Sequence, residues 1–182
     1  PPEKKMGWCA SDTRSVFFKD MRIPKSAILG NPKKGFKQFL QTLTSGRITI
    51  GALSIGTAQG AFNRALAYSQ EREAFGKSIN RFQGISFKLS NMATQIEASR
   101  HLVYHAAWEK DQGLPAIREA SMAKLFSSET AMKVTTEAIQ VFGGYGYIKE
   151  YDVERFFRDA KILEIGEGTS EVQRMIIARD LI

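Results

Sequence analysis

In the stretch ILEIGEGTSEVQ, Ile162 to Gln173, one carboxylate, Glu167, stands between Gly166 and Gly168, and the pattern of a helix start follows at once. Glycines give up side-chain cover and cost conformational entropy, so a flanking pair marks a main chain that must bend unusually or that something must approach closely. A glutamate on so bare a backbone reads either as catalytic or as the acidic middle of an ordinary helix–helix loop.

A second group is SQEREAFGKSINRFQ, Ser69 to Gln83, which reads as a helix end carrying Arg72 and Phe75, a turn at Gly76, and Gln83 opening the next helix. Arginine can grip a phosphate through two nitrogens, an aromatic ring can cover a flat ligand, and a carboxamide can read a ribose or base. The competing reading is an exposed interhelical loop. VFGGYGY, Val141 to Tyr147, ends a helix; it is either a cap and turn or a nest of backbone amides facing a phosphate. His101 and His105 share a helix face, but HLVYH lacks the glutamate of a zinc-protease helix, which favours surface or half-buried histidines over a metal. No serine stands in a G-x-S-x-G elbow.

These groups need a scaffold, and 182 residues suffice for one domain with a real core. With 43% hydrophobic and 25% charged residues the composition is that of a globular chain. No apolar run approaches the roughly 18 to 20 residues that cross a bilayer. A net charge of +7 favours an anionic partner, whether nucleic acid, an acidic lipid surface or phosphate-bearing small molecules. The basic residues are scattered and form no stripe interleaved with exposed aromatics, which argues against nucleic acid. The lone Cys9 rules out an internal disulfide and fits a reducing compartment. The opening Pro1-Pro2-Glu3-Lys4-Lys5, without methionine, suggests a piece of a longer protein.

From Lys5 to about Pro32 the chain has strand character, most clearly in SVFFKDMRIP. Long stretches of helical periodicity follow. The first runs from about Gly35 to Glu73, with Phe36, Leu40, Leu43, Ile55, Ala58, Phe62 and Ala65 at spacings of three and four. Its glycines at 46, 51, 56 and 60 either weaken the helix or permit close packing. The second spans Arg81 to Gln112, stopping at Gly113, and the third Ala116 to Phe142, with Ala120, Ala123, Ser127, Ala131, Val134, Ala138 and Val141 on one face. Shorter helices are expected at Glu150–Lys161 and Ser170–Ile182, the latter with Ser170 as N-cap and Gln173 as its capping-box partner. The expected fold is therefore mainly α: an antiparallel four-helix-type bundle with extra short helices over 34–182, preceded by a short β-strand remnant over 1–33.

In this order, SGR, EREAFGKSINRFQ, QVFGGYGY with FRDAKI after it, and EGTSEVQR resemble the acyl-CoA dehydrogenases, flavin enzymes that convert acyl-CoA to trans-2-enoyl-CoA. The resemblance covers the whole chain, with residues 1–33 similar to the end of the family's middle β domain and the rest to its C-terminal helical domain. It implies that Glu167 is the base removing the α-proton while the β-carbon passes hydride to the flavin of FAD. It also implies that Arg72, Phe75 and Gln83 contact the FAD of a neighbouring subunit, that Gln140, Gly143 and Gly144 lie against FAD phosphates and ribose across the same interface, and that Thr169 and Glu171 lie near the adenosine end. Thr44, Arg47 and Gly168 would line the acyl-CoA site. In the isovaleryl and long-chain branches the base precedes the equivalent of Arg47; that position is Gly46 here, which leaves Glu167.

The same resemblance implies a homo-oligomer (a dimer or dimer of dimers), an electron-transfer flavoprotein as acceptor, and a cytoplasmic or mitochondrial-matrix location. This chain departs from the family's usual pattern at Thr44, where aspartate is common, and at Gly166, where tyrosine is common. The isolated chain is expected to be inactive because the segments supplying most contacts to the flavin ring lie outside it. A non-catalytic helical assembly module is the contrasting reading, and it would have no need of Glu167.

Overall fold

The computed structural model describes all of residues 1–182. Helix α1, Gly35–Glu71, is unbroken despite its glycines. Its first two turns stand clear of the bundle, with Phe36, Phe39 and Leu40 exposed. The buried face begins at Thr44 and continues through Arg47, Gly51, Ser54, Ile55, Ala58, Ala61 and Ala65, the spacing of one helical stripe. Two of the glycines mark close approaches: a side chain at Gly51 would meet Val103, and one at Gly60 would meet the Phe156 ring.

A two-residue hairpin follows, β1 at Glu73–Ala74 paired with β2 at Lys77–Ser78, Glu73 opposite Ser78. Both turn residues have positive φ, 52° at Phe75 and 79° at Gly76, as a type I′ turn requires. Helix α2 is Gln83–Asp111 and α3 is Ile117–Phe142. Short connections fold α1, α2 and α3 back on one another, with α3 central. Gly113, at φ 75°, closes α2 by donating to Lys110 O. Two short helices, α4 at Val153–Ala160 and α5 at Ser170–Leu181, pack on α3 and complete the bundle. Alanines fill the seam: Ala58, Ala61, Ala65, Ala106, Ala120, Ala123, Ala131 and Ala138 are buried. No helix is long and apolar enough to cross a membrane.

The strand expected within residues 5–32 does not form. A strand needs a neighbour for its backbone groups, and the amino-terminal segment makes only the isolated bonds Glu3 N to Thr13 O and Ser11 N to Trp8 O and two 3₁₀ turns, Lys25–Ala27 and Pro32–Lys34. Phe17 is 90% exposed. The segment is tied to the bundle at one point, where Trp8 N donates to Asp159 Oδ1 (2.6 Å), Trp8 Nε1 to Asp159 O (3.0 Å) and Arg158 Nη1 to Met6 O (2.9 Å).

Candidate active site

The loop between the 3₁₀ turn Lys161–Glu164 and α5 presents Glu167 in the left-handed region, φ 56°, followed by Gly168 at φ 95°. Positive φ is costly for a side chain of this kind and survives where surrounding bonds enforce it, commonly at functional sites. The Glu167 carboxylate lies over α1 at Gly46, where a Cβ would come 2.8 Å from Cδ and 3.4 Å from Cγ. A side chain at residue 46 fits only if that carboxylate moves aside. Arg47 is the next residue, buried, with its Nε bonded to no group of the chain. Burial pushes its guanidinium pKa down, and the Glu167 charge acts against that shift. Thr44, one turn earlier, is also buried. The backbone N–H groups of Glu167 and Gly168 donate to nothing else in the chain.

Two fully buried side chains hold this loop from behind, Lys124, which the sequence did not single out, and Gln173, which it placed in a helix cap. Lys124 Nζ, from α3, donates to Gly168 O at 2.8 Å. Gln173 Nε2, from α5, donates to the same oxygen at 2.9 Å and to Glu167 O at 3.2 Å. Burial lowers the Lys124 pKa, opposed by Glu164. Lys124 had left a signal: it sits four residues after Ala120 and three before Ser127, in phase with the core face of α3. The capping-box expectation for α5 is corrected. Thr169 is the N-cap, its hydroxyl accepting from Val172 N at 3.4 Å, while Gln173 turns inward because its amide is needed by the two carbonyls. Glu171 is exposed on the first turn of α5, and its carboxyl is held below the ordinary range by its own backbone N–H and by Thr169.

Arg72, Phe75, Gly143 and Gly144 gather at the other end of α1. They line an open groove of about 660 Å³ with Tyr68, Phe142 and Tyr145. Phe142 stacks on Tyr68 with ring centroids 4.1 Å apart, and the Arg72 guanidinium lies 5.7 Å from the Tyr145 ring centre. Phe75 projects into solvent, 95% exposed, from its positive-φ turn position. Gly143 ends α3 at φ 61°, and nothing comes within 4 Å of a Cβ built on it or on Gly144. Gln83 is exposed at the first position of α2, between Phe82 and Ile85 of the groove wall. Gln140 does not join this group. It lines a separate cavity of about 820 Å³ with Met6, Cys9 and Tyr147.

Arg47 and Arg72 stand 25 positions apart along the chain, so at 1.5 Å per residue the two clusters lie roughly 37 Å from each other along α1. The histidines belong to neither: His101 pairs with Glu97 (3.4 Å) and His105 with Glu109 (3.3 Å) on the outer face of α2.

The family model described as "Acyl-CoA dehydrogenase, C-terminal domain" matches residues 33–182. The chain belongs to the acyl-CoA dehydrogenase family. It is 53% identical over 181 residues to the probable acyl-CoA dehydrogenase YngJ of Bacillus subtilis, covering 100% of this chain and 48% of the relative. The butyryl-CoA dehydrogenase of Megasphaera elsdenii superposes with a TM-score of 0.98 at 49% identity, covering 100% of this chain and 47% of that one. A chain from the structural study of the electron transferring flavoprotein of Acidaminococcus fermentans gives a TM-score of 0.98 at 48% identity, covering 100% and 48%. The chain thus spans about half the length of these proteins.

Proposed function

We propose that this chain supplies the catalytic base and part of the cofactor contacts of an FAD-dependent enzyme that oxidises acyl-CoA thioesters to trans-2-enoyl-CoA. The observation that carries the reading is the Glu167 carboxylate held over Gly46 beside buried Arg47, on a backbone at positive φ. Glu167 takes the proton from the carbon α to the thioester carbonyl. A carboxylate in water is a weak base toward a carbon acid, and covering by the acyl chain raises its basicity by disfavouring its charged form. The Glu167 N–H, bonded to nothing else in the chain, donates to the thioester oxygen as negative charge grows there. Thr44, Arg47 and Gly168 line the same acyl-CoA site.

The groove at the far end fits part of a dinucleotide: Arg72 offers a cation for the diphosphate, Phe75 an exposed ring, and Gly143–Gly144 a bare backbone. FAD held by these residues would supply the acceptor for the hydride that leaves the β-carbon. Gln83 contributes a further polar contact at the groove and Gln140 one from the separate cavity, while Thr169 and Glu171, just past the base, lie toward the adenosine of the FAD at this chain's own Glu167. The separation of roughly 37 Å between base and groove exceeds what one cofactor spans, so the groove serves the FAD of another subunit. The assembly is then at least a two-fold dimer with an isologous interface, and a dimer of dimers by family pattern. Residues 1–33 complete a preceding β domain and 34–182 form the helical domain. The butyryl-CoA relative favours a short acyl chain, and an electron-transfer flavoprotein is the proposed acceptor.

The test is Glu167→Gln in the full-length protein, followed by solvent exchange of the substrate α-proton and by bleaching of the flavin spectrum. FAD content should be unchanged and both reactions lost; turnover above about a tenth of wild type would refute the assignment, since loss of a general base costs about 10²–10⁴-fold.

A further inference from the structure

Burying a lysine is expensive, and a purely structural contact to one carbonyl could be made by a neutral amide. Lys124 is nevertheless wholly inside the bundle, and its ammonium ends on Gly168 O, the carbonyl one residue beyond Glu167. Gln173 occupies the other side of that oxygen and also reaches Glu167 O. Two consecutive carbonyls are therefore gripped from the interior by three hydrogen bonds from two fully buried residues. In a trans peptide the C=O and the following N–H point in opposite directions. Pulling both carbonyls inward turns the N–H groups of Gly168 and Thr169 outward and fixes the two peptide planes that flank the Gly168 Cα, the first of which leaves the Glu167 Cα. That grip holds Gly168 at φ 95° and anchors the chain just past Glu167, whose own φ is 56° and whose carboxylate lies over Gly46.

We infer that Lys124, with Gln173, is a positioning residue that locks the base-bearing loop in its strained conformation and so sets the reach of Glu167. The inference rests on Glu167 being the base. Neither side chain touches substrate or flavin; each acts through the backbone of residues 167 and 168. The charges of Arg47 from α1, Glu129 from α3, Glu164 from the preceding turn and Glu171 from α5 all reach Lys124, the arginine opposing its charge and the carboxylates favouring it. Burial is the largest influence on its charge, so an apolar side chain of the same length removes that desolvation cost while Gly168 O keeps its bond from Gln173.

The decisive variant is Lys124→Met in the full-length enzyme, which keeps the length and volume of the stem and removes donor and charge. Misplacement of a reacting group by about 1 Å costs about 10²-fold, so kcat and the α-proton exchange rate should both fall about 10- to 100-fold. KM, FAD content and melting temperature should stay at or above their wild-type standing, a split that a merely structural residue would not give. Gln173→Met should reproduce it and serves if the first variant does not fold. A kcat within twofold of wild type in either variant, with Glu167→Gln inactive in parallel, overturns the positioning role. Turnover by Glu167→Gln removes the base assignment itself, and failure of both Met variants to fold overturns the inference by assigning the pair to the core.

Discussion

Gly46 and Glu167, 121 residues apart in sequence, are in contact: a methyl group on Gly46 would lie 2.8 Å from the Glu167 carboxyl carbon. Ala for Gly in a helix interior favours folding by about 1 kcal/mol when nothing opposes it. Here it pushes directly on the carboxylate, which is exposed and can swing away. Gly46→Ala should therefore leave the melting temperature unchanged or raised, while turnover of the full-length enzyme drops about tenfold or more. Calorimetry and steady-state kinetics on one preparation check both halves.

Phe75 combines a bulky ring, positive φ and almost complete exposure. Such a backbone costs about 1–3 kcal/mol and gains nothing from burial within the chain. Phe75→Gly should stabilise the isolated helical domain by about 1 kcal/mol in denaturant titration. In the full-length protein the same change should weaken FAD retention, measured as flavin released on gel filtration.

The Glu154–Arg158 pair spans one turn of α4 through two bonds, at 2.7 and 3.1 Å, and Arg158 also holds Met6 O. The Arg158 guanidinium keeps the Glu154 carboxyl below its ordinary value, and burial partly opposes this. A carboxylate whose folded pKa is depressed contributes stability that is present above its unfolded pKa and lost as pH falls through the folded one. The loss should run below about pH 4.3. Glu154→Gln should be destabilised by about 0.5 kcal/mol at pH 7 and match wild type at the acid end. Urea midpoints across that range test it.

Asp159 anchors the amino-terminal segment by accepting the Trp8 N–H. Asp159→Ala removes that acceptor and should weaken docking of residues 1–13 by about 1–2 kcal/mol without melting the bundle. Faster tryptic cleavage at Lys4, Lys5 and Arg14, with unchanged helical circular dichroism, is the expected result.

The long helices were legible because their apolar residues recur at helical spacing, and Glu167 was legible because two glycines expose it. SVFFKDMRIP misled because composition reports suitability for a strand, whereas the partner that makes one is supplied elsewhere. Gln173 misled for a related reason. Its spacing from Ser170 matched a local cap, but its amide is claimed by the carbonyls of Glu167 and Gly168. Lys124 is the case where phase was readable and residue type overrode it, since a lysine on a helix is by default a solvated one. The Gly46–Glu167 contact joins α1 to the loop before α5, and periodicity says nothing about such a meeting.

Helix α1 carries Gly46 and Arg47 near one end and delivers Arg72 just past the other. It therefore works as a gauge block, its residue count setting both the spacing and the relative bearing of the two clusters. One residue inserted between Arg47 and Arg72 would lengthen that gauge by about 1.5 Å and turn one cluster about 100° against the other. A substitution leaves the gauge intact. An insertion or deletion anywhere in those six to seven turns would misalign two sites at once, even on an exposed face where the bundle itself would not object.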